Sequence, residues 1–393
     1  MARWIWPATA TALFLALVLP SPLGWGLAIG LTLLSVGSSV WAAVLRRQIG
    51  VEIVLPARLI RGEDDELTVV ATNRSRLPAT RVRVEVQLPK GGLTPSEVFV
   101  ELTVPGRSVV RRSTPITAFN RGRWQPLPLP VRVGDPFGIH EVETRHPPVA
   151  APVIVLPVVL PVRRIHLPAA SPLAEVPDQR SLLTDPTAIV GIRPYEPGDP
   201  LRAIHWPATA ATGTLVRRET ERAWARDLLV VVDLDHDGWE RHDQAPEVGI
   251  IVAASLLADA ILRLRQPAGL LTSWADAPGE EPRPAGFRIT GARPHLDAML
   301  THLAVSRLHP GLPLADLVGR DVRRHQPGTT VAVITGRPGN ELAGALRQLR
   351  RQGLSPVVIQ VGRGDLLEAA VPPTGGAPRI TVPSDVPLSR LTL

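Results

Sequence analysis

Apolar residues run without a charge or a histidine from Trp4 to Leu45. A single helix of that length would extend roughly 60 Å, about twice the hydrocarbon thickness of a bilayer. The run breaks at Pro20-Ser21-Pro22-Leu23-Gly24, so the pattern predicts two apolar helices, at about 4–19 and 25–45, forming a transmembrane hairpin over residues 1–47. Trp4, Trp6, Trp25 and Trp41 fall near the ends of these spans, where indoles favour the membrane–water boundary. Arg3 precedes the first span, Arg46 and Arg47 follow the second, and no charge lies between. The positive-inside rule then places both ends, and everything that follows, on the cytoplasmic face of the cell membrane, as a multi-pass protein. A cleaved signal peptide has an apolar core of about 7–15 residues, shorter than this run. A single span with a different orientation is the main rival.

From Val51 to about Ile165 the period becomes two. Val82, Val84, Val86 and Leu88 alternate with Arg81, Arg83, Glu85 and Gln87, the pattern of a strand with one buried face. Similar stretches occur at 67–71, 98–104, 109–117 and 130–133, separated by Asn73-Arg74-Ser75, Pro89-Lys90-Gly91-Gly92, Pro105-Gly106 and Gly134-Asp135-Pro136. Residues 48–165 therefore read as an antiparallel β-sandwich of immunoglobulin type, a class that serves as spacer or binding module. Val153–Val162 is interrupted by Pro157 and Pro161 and reads as an edge strand or an extended exit. Residues 166–190, rich in Pro, Ser and Asp, read as a surface linker.

Beyond the linker, continuous apolar runs at 228–234, 269–272, 330–335 and 356–361 suit buried parallel strands, with a further strand near 287–290. Helical spacing appears at 247–264, 295–306 and 341–351. Alternating strands and helices predict an α/β domain on a mostly parallel sheet over 191–393.

Composition changes this picture little. Cysteine is absent, and Lys90 is the single lysine among 43 basic residues. Disulfides and thiolate metal sites are excluded, and a reducing compartment fits. The net charge of +7 is scattered among acids without an aromatic-rich basic stripe, which argues against nucleic acid. An anionic membrane leaflet accounts for mild positive charge.

The segment Gly191–Glu219 gathers turn residues, arginines and aromatics. Asp199 is placed to cap a short helix with Pro200 at its first position, presenting Arg202, His205 and Trp206 together. Arg193 and Arg202 could fork onto Asp199, and Trp206 could stack on a guanidinium. Three uses remain open: a clasp docking the linker on the next domain with Trp206 buried, contact with a partner, or catalysis. Catalysis is the least favoured, because no nucleophile or second base accompanies His205 and Asp199.

The order Arg193, Tyr195, Gly198, Asp199, Arg202, Ile204, His205 and Trp206, then Ala210, Gly213, Leu215 and Glu219, resembles the signature of the DUF58 family of bacterial membrane proteins. Arg121-Gly122-Arg123-Trp124 and Asp135-Pro136-Phe137-Gly138-Ile139 resemble that family's preceding sandwich. The resemblance implies a von Willebrand factor A-like C-terminal domain and a MoxR-type AAA+ ATPase as partner, with a transglutaminase-like membrane protein as a further candidate. Two basic positions of the family pattern are lost, at Pro207 and Ala211, which weakens the segment as an anion site.

After the first α/β strand stands Asp233-Leu234-Asp235-His236-Asp237. An A-domain metal site resembles Asp-x-Ser-x-Ser, so only Asp233 matches and Asp235 and Asp237 replace the serines. Three carboxylates can hold a hard cation, yet Thr335-Gly336-Arg337 brings no further acid. A solvated acidic loop is the favoured reading, and no cofactor is expected. The function expected is an adaptor without enzymatic activity. The alternative is a metal-dependent hydrolase using Asp233, Asp235, Asp237 and His236.

Overall fold

The computed structural model describes residues 5–18, 21–128, 130–144, 151–163, 165, 167, 184–196, 201, 204–222, 227–239, 244–275, 280–310, 312–322, 325–369, 374–387 and 393. The chain divides into two compact units. The first comprises Met1–Val158 with Leu300–Ser306, and the second Val159–Met299 with Arg307–Leu393.

The first unit opens with α1 (Ile5–Val18) and α2 (Pro22–Gln48). Ser21 caps α2, its hydroxyl accepting from the Gly24 amide at 3.0 Å, with Pro22 at the first helical position. The expected break is therefore a helix start, built from a side-chain acceptor and a residue needing no N–H partner. By length and composition α2 is able to cross a membrane, whereas α1 is shorter. Large apolar side chains on both, including Phe14, Leu17, Leu23, Leu27 and Leu33, are exposed. A second helix passes the same test at Ala245–Arg263, but it is mostly buried inside the α/β domain and is a core helix.

Among the described residues twelve strands follow: β1 (Ile49–Val54), β2 (Arg58–Ile60), β3 (Asp64–Asn73), β4 (Ala79–Gln87), β5 (Leu93–Thr94), β6 (Glu97–Val104), β7 (Val109–Ala118), β8 (Gly122–Trp124), β9 (Leu127–Pro128), β10 (Arg132–Gly134), β11 (Glu141–Glu143) and β12 (Val153–Leu156). One antiparallel sheet runs β1-β3-β7-β5 and a second runs β11-β10-β4-β6, with β9 also on β4. Alternation puts Leu67, Val69 and Ala71 of β3 in one core with Val82, Val84 and Val86 of β4, as the period-two pattern requires. The stretch read as an edge or an exit is neither in its strand portion. β12 lies between β2, which it pairs in parallel, and β8, which it pairs antiparallel. Pro157 follows its last paired residue, so the proline ends the strand without interrupting a ladder.

The last turns of α2 belong to this sandwich core: Leu45 is buried in it and Trp41 packs against it, with Trp41 Nε1 donating to the Pro78 carbonyl at 3.1 Å. One turn earlier, Ser38 Oγ donates to Asp135 Oδ2 at 2.6 Å and lies 2.9 Å from His140 Nδ1, while Ser39 Oγ lies 3.1 Å from His140 Nε2. Asp135 also accepts from the Phe137 amide at 2.6 Å and from the His140 amide. Burial works to raise the Asp135 carboxyl pKa, but hydrogen bonds from Ser38 and from the amides of His140, Phe137 and Ile139 outweigh it and hold the value below the ordinary range.

The second unit begins its described structure with a two-stranded antiparallel ribbon, β13 (Thr184–Pro194) and β14 (Val216–Arg222). This corrects one sequence expectation. The end of the expected linker, from Thr184, is strand; the body of that linker lies outside the described residues. A short helix, α3 (Trp206–Thr212), capped by His205, stands between the two strands; the helix start expected at Asp199 and Pro200 lies outside the described residues.

The α/β domain contains β15 (Leu228–Val232), α4 (Ala245–Ala258), β16 (Ala268–Trp274), β17 (Arg283–Thr290), α5 (Arg293–Val305), α6 (Leu314–Asp321), β18 (Thr330–Thr335), α7 (Asn340–Arg351), β19 (Ser355–Gly362), α8 (Gly364–Ala369) and β20 (Arg379–Pro383). The sheet order is β17-β16-β15-β18-β19-β20. Every neighbouring pair is parallel except β16–β17. Leu229, Val231, Val331 and Val333 pack with residues of α6 and α7. On the opposite face Ile334 approaches Gly249 of α4. Both faces are covered, which is why β15 and β18 are buried along their whole length.

The Asp135 network generates a prediction. Asp135→Ala removes the acceptor of the Phe137 and His140 amides and the tie to Ser38, and should cost about 3 kcal/mol, read from thermal unfolding of the full chain in detergent. Because the folded-state pKa is depressed, the carboxylate's contribution is present above the ordinary carboxylate range and lost as pH falls through the folded value. Asp135→Asn should flatten that part of the acid limb; an unchanged acid limb would contradict this role.

Candidate functional site

In an open parallel sheet, ligands favour the carboxyl ends of strands at the point where strand order reverses. That point here lies between β15 and β18, and both strand ends carry the residues singled out from the sequence. Asp233 follows β15 and is 3% exposed. Its Oδ2 accepts from Thr335 Oγ1 of β18 at 2.7 Å, and its Oδ1 from the Asp235 amide at 3.0 Å. Burial is the main force raising its pKa to about 6, with the charge of Asp235 adding and the bonds from Thr335 and the Asp235 amide opposing.

The loop then closes over this carboxyl. A Cβ on Gly238 would lie 2.0 Å from Asp233 Oδ2, so only glycine fits there. Trp239 is buried, and its Nε1 donates to the Asp233 carbonyl at 3.1 Å. The amides of Gly336 and Arg337 donate to the Gly238 carbonyl at 3.1 and 2.9 Å. Asp235 Oδ1 accepts from the Asp237 amide at 3.3 Å. His236 and Asp237 are exposed. Among the described residues no group of three His, Cys, Asp or Glu is placed to hold a metal ion. Asp233 thus serves as a buried tie between two strand ends, with Gly238 and Trp239 as its cover. Sequence reasoning missed these two, although a glycine and a tryptophan directly after an acidic strand end are a visible trace of such a cover.

The other set of singled-out residues surrounds the β13–β14 ribbon. Gly198, Asp199 and Arg202 lie outside the described residues. Arg193 approaches Glu196 at 3.6 Å and donates to the Pro194 carbonyl at 3.0 Å. The Tyr195 amide donates to the Leu215 carbonyl at 2.8 Å. Ile204 is buried and bridges Arg217 of β14. His205 Nδ1 accepts from the Ala208 amide at 3.1 Å, capping α3. Gly213 ends α3 with φ of 68°, a left-handed conformation that favours glycine.

Trp206 overturns its expectation. It is 63% exposed and is not buried in a clasp. The reason is geometric: His205 anchors the helix start and the Val216 amide donates to Thr209 Oγ1 at 3.1 Å, so the remaining face of this short helix, with Trp206, points to solvent. Leu201 and Leu215 are also exposed. Sequence alone does not reveal which face a seven-residue helix turns outward.

No protein-family model matches the chain, and no curated protein matches it. Among solved structures, the CARDB domain of a Pyrococcus furiosus protein is similar at 16% identity, covering 27% of this chain and 91% of that one, with a TM-score of 0.21. The seventh ScaB type I cohesin of Pseudobacteroides cellulosolvens is similar at 8% identity over 30% of this chain and 98% of its own, with a TM-score of 0.21. Proximal thread matrix protein 1 of the mussel byssus is similar at 15% identity over 40% and 42%, with a TM-score of 0.26. Scores this low carry no argument about function.

The buried tie has a pH signature. The folded state binds the Asp233 proton more tightly than the unfolded chain, so stability should fall as pH rises from about 4 to about 6. The fall should amount to roughly 3 kcal/mol. Asp233→Asn should remove this fall and raise the unfolding temperature at pH 7.5. A variant less stable than wild type at pH 7.5 would contradict the assignment.

Proposed function

We propose that this chain is a membrane-anchored adaptor of the DUF58 family, working with a MoxR-type AAA+ ATPase at the cytoplasmic face of the membrane. In this reading α1 and α2 form the transmembrane hairpin, the sandwich is an immunoglobulin-type spacer, and the α/β domain is von Willebrand factor A-like. The exposed apolar faces of α1 and α2 support the anchor, because large contiguous apolar surface is covered by lipid or protein in a working molecule. The six-stranded sheet with its acidic loop at the switch point supports the A-like reading. Catalysis has no support of the same kind: Asp233 is engaged by Thr335 and covered by Gly238, so the hydrolase alternative lacks a reachable carboxylate at its centre.

The observation that carries the adaptor reading is the exposed Trp206, flanked by exposed Leu201 and Leu215, within the segment that resembles the family signature. Residues 200–218 contain no acid and three arginines. An exposed indole among arginines is the composition of an interface anchor, and an acidic patch on the ATPase is its complement. A transglutaminase-like membrane protein remains a further candidate partner.

Trp206→Ala should weaken capture of a purified MoxR-type ATPase by the full chain about thirty-fold or more, the loss typical of an interface tryptophan. Because Trp206 is exposed, thermal stability should change by less than about 1 kcal/mol. Undiminished capture by the variant would overturn the docking role; a large loss of stability would return the clasp reading.

A further inference from the structure

The ring of His140 meets both helices of the N-terminal hairpin. It lies edge-on to Trp6, with centroids 6.0 Å apart and planes at 72°, and its nitrogens face Ser38 and Ser39. The first turn of α1 and the Ser38 turn of α2 therefore stand at one level. Beyond Ser38, α2 is committed to the sandwich through Trp41, Ala42 and Leu45. What remains for hydrocarbon is α1, 14 residues long, and the part of α2 from Pro22 to Ser38. These measure about 21 and 25 Å, against a hydrocarbon core of roughly 30 Å. A short span thins the bilayer or draws flanking groups into it.

The flanking group at this level is the loop 134–140. Its one carboxylate, Asp135, is buried and hydrogen-bonded. Its outward side chain, Phe137, is 65% exposed. A loop whose carboxylate is buried and whose tip is aromatic, tied beside lipid-facing helices, has the chemistry of an interfacial anchor.

We propose that the bilayer boundary runs at the level of Trp6, Ser38 and His140, and that loop 134–140 lies in the headgroup layer with Phe137 inserted among the acyl chains. The sandwich then holds the membrane surface at a second point beside the hairpin. This rests on the membrane reading of α1 and α2, and the test separates the two.

The chain has no cysteine, so single sites can be labelled. Leu33→Cys, Phe137→Cys and Val109→Cys place an environment-sensitive nitrobenzoxadiazole probe on the full chain in phosphatidylethanolamine–phosphatidylglycerol nanodiscs. All three positions are exposed. Leu33 reports the hairpin. Val109 pairs with Thr72, which pairs with Gly50 just past α2, about 15 Å beyond Ser38 along the helix. Spin-labelled doxyl lipids should extinguish most of the emission at Leu33 and Phe137 and leave Val109 bright. A bright probe at Phe137 beside a quenched one at Leu33 overturns the proposal and leaves the anchor standing. Quenching at all three sites overturns the boundary. A bright probe at Leu33 removes the membrane reading and the proposal with it.

Discussion

The carboxylate of Asp135 joins an apolar helix to a β-sandwich. It is buried, it takes the hydroxyl of Ser38 from the helix, and it takes the amides of Phe137 and His140 from its own loop. A buried charge is tolerable only when its lone pairs are filled. The helix and the loop are therefore fixed to each other by the same bonds that make the burial possible. Leu45 then continues α2 into the sandwich core, and β1 starts at the next residue after the helix. A flexible tether is absent among these residues, so α2 and the sandwich behave as one mechanical piece.

The α/β domain repeats the device with the opposite electrostatic outcome. Asp233 also ties two distant segments, the ends of β15 and β18, but its two protein donors do not offset its burial, and its pKa rises. Gly238 and Trp239 close the space above it. An acidic strand end at the switch point of a parallel sheet is where ligand chemistry is expected; here the geometry spends that position on structure. Among the described residues of this unit, the Trp206 end of α3 is exposed instead.

Sequence pattern revealed the long elements because each repeats a period. The alternation of Val82, Val84 and Val86 needed no partner to be read, and neither did the continuous runs of β15 and β18. Strands of two or three residues, such as β5, β8 and β9, have no period and are defined only by their neighbours. β20 was missed for a related reason: it is an edge strand of five residues, and its partner β19 supplies its pairing. Residues 97 apart, such as Ser38 and Asp135, meet through the fold alone, and a serine in an apolar run gives no local sign of its partner. The cap of α3 was not legible, because His205 makes it through a ring nitrogen, whereas aspartate, serine, threonine and asparagine are the commoner caps. Of the candidate site, the identity of Asp233 was legible, and its sealing was not.

In the proposed reading the two apolar helices anchor the protein and the remaining chain faces the cytoplasm, so topology is the property to measure. The direct measurement is protease accessibility of a C-terminal epitope tag on the full chain, in intact spheroplasts and in inverted membrane vesicles. The expected result is a tag that sediments with alkali-washed membranes, survives protease in spheroplasts and is cleaved in inverted vesicles. A tag released by alkali, or one cleaved in intact spheroplasts, would contradict it.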